Sequence, residues 1–279
     1  MGVPFLKAEG GGNDLVMVDG RTAPLDDPSV WAVRLCRRRY GIGSDGLMLL
    51  ERGADTGPLV RMFNPDGTED FCGNGLRCVA AWLADRGELN PDAFRLRTPK
   101  GTHRGRILNR TGRDFEVEVE LVAPVFIPKG IPAKLEGKRI LDAPLRLGHE
   151  ERRVSVLNVG TAHAILFVEH EVSDDEFRRV SPQVETHPAF PERVSVLWCR
   201  PCGPASLELR IWERGVGETI SCGTGAGAAV VAAHLLGRIR NRAEVVTKGG
   251  ASIAEWDESG PVRLTGPARL VYTGLWEER

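Results

Sequence analysis

The sequence predicts a mixed α/β protein of the α+β type, built as two pseudo-symmetric domains. Three observations predict this fold class. The chain of 279 residues repeats itself once, short strand-like runs fill both halves, and each half contains one long helix rich in Ala. A chain of this length is sufficient for two domains of ordinary size. We place the first domain at residues 1–120 together with 263–279, and the second at residues 121–262.

The repeat is clearest at two Cys-Gly-x-Gly motifs. CGNG at 72–75 is matched 150 residues later by CGTG at 222–225, and an apolar run rich in Ala and Val follows each motif. Weaker matches occur in the same order at a spacing of 149 residues: RMFN (61–64) with RIWE (210–213), TPKG (98–101) with TKGG (247–250), and DLVMV (14–18) with HAILF (163–167). Their common order and nearly constant spacing indicate duplicated halves.

Short apolar or alternating runs bounded by Gly, Pro and Asp predict the strands. In the first half they are LVMVD (15–19), GLMLL (46–50), LVRMF (59–63), FRLR (94–97) and FEVEVEL (115–121). In the second half they are AILFVE (164–169), RVSVLW (193–198), LELRIW (207–212), AEVV (243–246) and ASIAEW (251–256). A last strand-like run, VRLTGPARLVYTG (262–274), is expected to return to the sheet of the first half.

The long helices are predicted directly after the two cysteine motifs. Each ends near a glycine, Gly87 or Gly237, which is the usual residue after a helix C-terminus. Because Ala and other small residues dominate both helices, each is expected to be buried on all sides inside a curved sheet. The segment 121–134, which contains three prolines, marks the boundary between the halves.

Composition excludes several function classes. Hydrophobic residues make up 42% of the chain, charged residues 27%, and the net charge is −1, so the basic surplus typical of nucleic-acid binding is absent. No apolar stretch reaches the ~20 residues that span a bilayer, and the N-terminus lacks the apolar region of a signal peptide. We therefore expect a cytoplasmic protein without nucleic-acid or membrane partners, whose six cysteines are reduced thiols.

Each motif places a cysteine, Cys72 or Cys222, at the start of a helix. The N–H groups and the dipole of a helix N-terminus stabilise a thiolate and lower the usual thiol pKa of ~8.5. The same N–H groups form a cradle for a carboxylate. Two such turns could hold a carboxylate with one sulfur on each side of the adjacent α-carbon. This arrangement suits inversion of that carbon, with one thiolate removing a proton and the opposing thiol returning one.

At these residues the chain resembles the diaminopimelate epimerase family. The two long signatures are FNPDGTEDFCGNGLRC (63–78) and ERGVGETISCGTGAGAA (213–229). Supporting matches are GGNDLVMVD (11–19), RRYGIGSDGL (38–47), GTAHAILFVE (160–169), HPAFPERV (187–194) and LTGPARLVY (264–272). The resemblance therefore extends over nearly the whole chain.

The resemblance implies two similar domains, each a curved, mainly antiparallel sheet around a central helix, with the active site in the cleft between them. It implies epimerisation of LL- to meso-diaminopimelate without pyridoxal phosphate, metal or any other cofactor, in a family in which a homodimer is common. Cys72 and Cys222 would be the two bases. The expected substrate-binding residues are Asn13, Asn64, Gly73, Asn74, Glu213, Arg214, Gly223 and Thr224. His163 and Glu213 would tune or orient the catalytic pair, with Thr161 and Ser195 as further auxiliary residues.

Several departures from the family pattern concern the substrate. Thr161 and Ala162 occupy a turn that usually reads Asn-Pro, and Ser195 stands where an asparagine is usual. Thr68 replaces a usual serine, and the first signature is one residue short between Asn64 and the cysteine. A site that hydrogen-bonds a distant polar group of its substrate loses selectivity when the protein side chains that make those hydrogen bonds are replaced. Racemisation of a different amino acid is therefore the alternative within the family.

Other function classes remain as alternatives from the residues alone. Cys199 and Cys202 form a C-x-x-C pair, which could bind zinc or cycle as a disulfide, although no second pair or histidine pair accompanies it. A non-catalytic carboxylate-binding module would use the same helix turns. Phosphate binding is the third alternative, but neither glycine-rich turn matches the nucleotide-binding motifs.

Overall fold

The computed structural model describes residues 2–53 and 57–277 and divides into two compact units. The first unit is Met1–Glu120 with Thr265–Arg279, and the second is Leu121–Leu264. Each unit combines many strands with two α-helices in the part of the chain that the structure describes. The mixed α/β class predicted from the sequence is therefore confirmed, with strands as the dominant element.

The first unit contains β1–β8, α1, α2 and most of the last strand, β17. Its strands are β1 Val3–Gly10, β2 Asn13–Asp19, β3 Gly46–Arg52, β4 Pro58–Phe63, β5 Glu69–Asp70, β6 Phe94–Thr98, β7 Gly101–Thr111, β8 Asp114–Glu120 and β17 Arg263–Trp276. Its helices are α1 Pro28–Cys36 and α2 Gly73–Asp85. All five strands predicted for this half are confirmed. Helix α1 and the strands β1, β5 and β7 were not predicted.

The strands of the first unit pair in the order β17-β1-β2-β3-β4-β6-β7-β8, and β8 pairs again with β17. The sheet thus closes on itself. Most neighbours are antiparallel, whereas β2–β3 and β4–β6 are parallel. Helices α1 and α2 lie in the chain between these parallel partners, as a crossover connection requires. The last strand returns to this sheet, as the sequence predicted, by pairing with β1.

The second unit contains β9–β16, α3 and α4. Its strands are β9 Ile140–Leu147, β10 Glu150–Asn158, β11 Ala162–Phe167, β12 Ser195–Pro201, β13 Ser206–Glu213, β14 Gly217–Thr219, β15 Arg242–Thr247 and β16 Gly250–Glu255. Its helices are α3 Asp174–Glu185 and α4 Gly223–Leu235, and a short 3₁₀ turn covers Pro128–Gly130. The five strands predicted here are also confirmed, whereas α3, β9, β10 and β14 were not predicted.

The pairing of the second unit runs β9-β10-β11-β12-β13-β15-β16, with the short β14 on β13. The parallel pairs are β11–β12 and β13–β15, and α3 and α4 lie in the chain between their members. The remaining pairs are antiparallel. This unit therefore also combines antiparallel hairpins with two helical crossovers.

One helix lies at the centre of each unit. Helix α2 packs against β1, β2, β4, β6 and β8, and α4 packs against β10–β13, β15 and β16. Every residue of α4 from Gly223 to Ala233 is buried, as the all-round apolar sequence predicts. Helix α2 is almost as deeply buried, and one of its buried side chains is the arginine Arg77. Because the helices fill these interiors, the start of each helix has a fixed position in its own unit.

Within residues 2–53 and 57–277, no helix combines the length and the apolar character that a membrane crossing requires.

Candidate active site

Cys72 is the N-cap residue of α2. Its backbone is extended, with φ −128° and ψ 107°, and its Sγ accepts a hydrogen bond from the backbone N–H of Gly75 at 3.2 Å. The first N–H groups of a helix have no acceptor within the helix, so they point beyond its start. The side chain is half-buried. This cysteine therefore has the position and the access that a reactive thiolate needs.

Cys222 is the N-cap residue of α4 and has the same local geometry. Its φ is −149° and its ψ is 108°, and its Sγ accepts from the N–H of Gly225 at 3.4 Å. The side chain is again half-buried. Each Cys-Gly-x-Gly motif thus forms one N-capped helix start.

The second glycine of each motif is required by close packing. A Cβ on Gly75 would lie 2.5 Å from Sδ of Met48, and a Cβ on Gly225 would lie 3.1 Å from Cδ2 of Leu197 and 3.3 Å from the capping sulfur. The helix start is therefore pressed against the neighbouring β3 or β12. A larger residue would push away the turn that positions the thiol.

In the first unit, two predicted substrate-binding residues are joined by a hydrogen-bonded network. Nδ2 of Asn74 donates to Oδ1 of Asn13 at 2.7 Å, and Nδ2 of Asn13 lies 3.4 Å from Oδ2 of Asp45. Asn74 is 2% exposed, so its amide has a fixed orientation. Arg77 donates from Nη2 to Oδ1 of Asn74 at 2.8 Å. Asp45 and Arg77 also belong to this network, although no motif in the sequence marks them as site residues.

Asn64 lies in a separate turn of the first unit. Its Nδ2 donates to Oγ1 of Thr68 at 3.0 Å, and its backbone N–H donates to the carbonyl of the same residue. Replacement of the usual serine by threonine at position 68 therefore keeps a hydroxyl that closes this turn. Asn64 and Asn13 are both half-buried.

Cys72 also borders a cavity of about 220 Å³ in the first unit. The cavity lies where β4 separates from β6, since these strands pair at a single position. Its walls include Met48, Met62, Phe71 and Leu76, and its charged groups are Glu69, Asp70 and Lys100.

In the second unit, three predicted residues come together around Cys222. Its Sγ lies 3.4 Å from Oγ1 of Thr224, which lies 3.1 Å from both Oγ1 of Thr161 and Nε2 of His163. Oγ1 of Thr161 also lies 2.9 Å from Nε2 of His163. Two hydroxyl groups therefore connect the imidazole with the sulfur. Thr161, which departs from the family pattern, is a direct member of this chain.

His163 is fully buried at the end of this chain. Burial lowers the pKa of its imidazole to about 3, and the positive charge of Arg214 acts in the same direction. The ring is therefore neutral at physiological pH. Its Nδ1 has no hydrogen-bond partner among residues 2–53 and 57–277.

The loop Glu213–Gly215 begins at the last residue of β13 and is held by several side chains. The backbone N–H of Arg214 donates to Oγ of Ser195 at 3.1 Å, and its Nη1 donates to the carbonyl of Glu192 at 3.3 Å. Oε1 of Glu213 accepts from the hydroxyl of Thr219 at 2.6 Å. Ser195 thus uses its hydroxyl to fix the backbone that presents Arg214.

Glu185, at the end of α3, supports the same loop and was not predicted as a site residue. Its two carboxylate oxygens accept from the N–H of Gly215 and from Nε1 of Trp212, each at 2.7 Å. Its side chain is 5% exposed and forms an ion pair with Arg193 at 2.9 Å. A glutamate two residues before HPAFP carries no recognisable signal in a single sequence, because its role depends on tertiary contacts.

The C-x-x-C pair has a different environment. Cys199 is buried in β12, where burial raises the pKa of its thiol. Cys202 is exposed just after the strand, where partial desolvation and the nearby negative charge of Glu208 raise its thiol pKa. Neither thiol is therefore biased towards the reactive thiolate. Within the part of the chain that the structure describes, no group of three or more His, Cys, Asp or Glu side chains is arranged to hold a metal ion.

Comparisons of sequence with known proteins give consistent results. The family model described as diaminopimelate epimerase matches residues 5–126 and 155–271. A diaminopimelate epimerase of Pelotomaculum thermopropionicum is 39% identical over 279 residues, which is 99% of each chain. Another, from Synechococcus sp. strain JA-2-3B'a(2-13), is 40% identical and covers 97% of this chain and 96% of the relative.

Solved structures match at lower identity and indicate a shared fold. A hydroxyproline epimerase from Agrobacterium vitis has a TM-score of 0.69 at 16% identity, over 98% of this chain and 90% of that chain. A Bacillus anthracis phenazine biosynthesis protein of the PhzF family has a TM-score of 0.69 at 17% identity, over 100% of both chains.

Proposed function

Because this chain belongs to the diaminopimelate epimerase family, we propose that it converts LL-diaminopimelate to the meso form by inverting one α-carbon. The reaction would serve lysine and cell-wall precursor synthesis and would need no pyridoxal phosphate or metal. One observation carries the proposal: each of two units caps a 13-residue helix with a half-buried cysteine.

The proposal includes an origin by duplication, which gives two pseudo-symmetric domains. The order of elements supports it. From β1 to β7 in the first unit, and from β10 to β16 in the second, the chain forms two strands, a helix, three strands, a second helix and two more strands. A small detail supports it further. Oγ1 of Thr98 accepts from the N–H of Lys100, and Oγ1 of Thr247 accepts from the N–H of Gly249, in equivalent turns.

The proposed chemical step keeps charge balanced. One thiolate takes the α-proton, and the electron pair of the broken C–H bond moves into the carboxylate, which becomes an enediolate. N–H groups of a helix start stabilise this added charge. The other thiol then gives its proton to the opposite face of the carbon and becomes a thiolate. A bound amino acid must be within reach of both sulfurs for this step.

The chain of hydroxyl groups in the second unit favours the thiolate form of Cys222. If Nε2 of His163 carries the proton, it donates to Thr161, whose hydroxyl donates to Thr224, whose hydroxyl donates to the sulfur. The reverse direction would place the imidazole proton on Nδ1, which has no partner among the described residues. A buried N–H without an acceptor is costly, so the first direction is preferred.

The remaining residues take roles that their chemistry supports. Arg214 would bind a carboxylate of the substrate through its guanidinium fork, and Glu213 would accept from an ammonium group. Asn13 and Asn64 would bind further polar groups of the amino acid. Gly73 and Gly223, the first residues of the two helices, would supply N–H groups to the α-carboxylate.

The decisive experiment follows the substrate in deuterated water without added cofactor. We expect meso-diaminopimelate to form from the LL isomer and to carry one deuterium at the inverted carbon, while the remaining LL isomer stays unlabelled at early times. Early label in both isomers would indicate one base instead of two. Binding without any exchange would indicate a carboxylate-binding module and would contradict the proposal.

A panel of L- and D-amino acids under the same conditions tests the substrate. Faster turnover of another amino acid would favour the alternative within the family. We also propose a cytoplasmic location and a homodimer, which cell fractionation and sedimentation of the purified protein would test.

A further inference from the structure

Arg77 is the largest fully buried side chain of the protein in the residues described. It lies in α2, five residues after Cys72, and is 1% exposed. Its Nη2 donates to Oδ1 of Asn74 at 2.8 Å, and its Nε lies 3.3 Å from the carbonyl of Pro267. Its Nη1 has no partner within residues 2–53 and 57–277. Gly266 packs against the face of the guanidinium, where an added Cβ would lie 3.2 Å from Cζ.

The charge of Arg77 has no paired carboxylate within the same described residues. Arginine remains protonated in proteins, and a buried unpaired charge is strongly unfavourable. Burial lowers the pKa of Arg77, and three neighbouring groups oppose this when they are negatively charged: Cys78, Cys72 and Glu9. The structure therefore contains a buried cation that an anion nearby would stabilise.

Of these three groups, Cys72 is the one whose charge is linked to the proposed reaction. Burial raises the pKa of Cys78 to about 12, so that thiol is neutral. Glu9 is half-buried, and its carboxylate accepts from the N–H of Gly12. Cys72 is half-buried at the helix start, where a thiolate is already favoured.

The second motif has no such cation. The residue five positions after Cys222 is Gly227, and a Cβ there would meet the apolar side chains of Val262, Leu121 and Val159. Helix α4 thus packs against apolar side chains at the place where α2 contains an arginine. A central helix of this kind does not need a buried arginine in order to fold, which indicates a role for Arg77 in the site.

Arg77 also fixes the direction of two amide groups. Because its Nη2 donates to Oδ1 of Asn74, the amide nitrogen of Asn74 is the atom that donates to Asn13. Asn13 in turn presents its own nitrogen towards Asp45. Both asparagines are proposed substrate-binding residues, so one buried guanidinium determines which of their atoms face their partners.

We propose that Arg77 is the positioning residue of the Cys72 half of the site. Its buried charge favours the thiolate of Cys72, and its hydrogen bond orients Asn74 and Asn13. This inference rests on the proposed function, in which Cys72 is a base. It assigns different supports to the two thiols: a buried guanidinium for Cys72, and a chain of hydroxyl groups for Cys222.

Other charged groups near Cys72 belong to different elements. The cavity beside it is lined by Glu69, Asp70 and Lys100. Asp45 contacts Asn13 and is part of the network that includes Asn74. The three cavity groups are exposed or half-buried, so solvent screens their effect on the sulfur. The full burial of Arg77 gives its charge the stronger influence.

The test measures alkylation of Cys72 by iodoacetamide as a function of pH, with the modified residue located by mass spectrometry. In the wild-type chain we expect a midpoint below the ~8.5 of an unperturbed cysteine. Arg77→Met should raise the midpoint by about one pH unit, so that alkylation near neutral pH slows by about tenfold. Alkylation of Cys222 in the same molecules is the internal control, and Arg110→Met, at an exposed arginine of β7, is the matched control.

Arg77→Lys separates the two effects and covers the case in which Arg77→Met does not fold. Lysine keeps the charge but lacks the planar fork. We expect its Cys72 midpoint to stay near the wild-type value, while KM for the substrate rises. A wild-type midpoint at or above that of an unperturbed cysteine would overturn the proposal, as would an unchanged midpoint in folded Arg77→Met. Alkylation needs no substrate, so this failure is distinct from a failure of the proposed epimerase activity.

Discussion

At the scale of the residue, the unusual feature is a cysteine at the N-cap of each central helix. Ser, Thr, Asp and Asn are the common N-cap residues, because their side-chain oxygen accepts from the first turn. Cys72 and Cys222 perform this structural task with sulfur. Serine would cap the helix at least as well. Because a hydroxyl group is a much weaker acid than a thiol, the presence of cysteine indicates a role in proton transfer.

We therefore expect Cys72→Ser and Cys222→Ser to keep the fold and lose epimerisation. General acid–base catalysis contributes about 10²–10⁴ in rate, so each variant should be slower by at least that factor. The measurement is conversion of LL- to meso-diaminopimelate, with thermal unfolding as the control for the fold. Exposed Cys202→Ser should retain activity. A near-normal rate in either N-cap variant would contradict the assignment of two bases.

Thr224 is the residue through which the hydroxyl chain reaches Cys222. Thr224→Val keeps the shape and removes the hydroxyl, which should raise the thiol pKa and slow turnover by about tenfold, the effect of losing one hydrogen bond to a charged group. Thr224→Ser keeps the hydroxyl and should remain close to wild type. The pH dependence of Cys222 alkylation provides the measurement. Equal midpoints in the Val and Ser variants would exclude the proposed chain.

The sequence marks the proposed site residues of the motifs but not all of the residues that support them. Both cysteines, Asn74, Thr224 and His163 are marked by motifs or by family resemblance, and their roles stay predictions. Arg77 and Glu185 carry no such mark, because charged side chains are usually exposed and nothing local shows that these two are buried. Their roles arise from contacts between residues distant in sequence, such as Glu185 with Gly215.

At the scale of the element, the sequence predicted both central helices and eleven strands because apolar patterns mark them. Helix α3 was missed because it is polar on one side and contains Pro182, which usually ends a helix. Strand β7 was missed because most of its residues are exposed and several are charged. The signals for α1 were present, with Asp27 as N-cap and Pro28 in the first turn.

Helix α3 supports the loop Glu213–Gly215 through the carboxylate of Glu185, its last residue. Glu185→Ala would remove the buried carboxylate that accepts from the N–H of Gly215 and from Nε1 of Trp212. A hydrogen bond to a charged group contributes about 1.5–3 kcal/mol. We expect the free energy of unfolding to fall by about 2 kcal/mol or more, and KM to rise because Arg214 loses its fixed position.

Denaturant unfolding and steady-state kinetics check this prediction. Gln183→Ala, at an exposed position of the same helix, is the matched control and should change neither quantity. Glu185→Gln keeps one acceptor oxygen and should be intermediate. If Glu185→Ala lowered kcat and left both KM and stability unchanged, support of the loop would not be the role of this residue.

At the scale of the whole molecule, stability depends on pH through groups with shifted pKa values. The ion pairs with Arg38 and Lys7 outweigh the effect of burial and lower the pKa of Asp14. Asp14 therefore stabilises the folded chain above its unfolded pKa, and this contribution is lost as the pH falls below about 4. Asp45 acts in the opposite direction, because burial raises its pKa.

His163 acts in a different pH window. Burial lowers its pKa from 6.5 to about 3. As the pH falls below about 6.5, the unfolded chain takes up a proton here that the folded chain does not, so the folded state becomes less stable. One such group reduces the free energy of unfolding by up to about 1.4 kcal/mol for each pH unit until the pH approaches 3. Above about pH 7 the group should have no effect.

The comparison of wild type with His163→Gln isolates this contribution. Urea unfolding at about pH 7 and about pH 5 should show a smaller loss of stability in the variant, by about 2 kcal/mol, because glutamine takes up no proton. Other titrating groups contribute equally to both proteins and cancel in the difference. An equal loss in wild type and variant would mean that His163 accepts its proton in the folded state. The assignment of a neutral imidazole next to the hydroxyl groups of Thr161 and Thr224 would then be wrong.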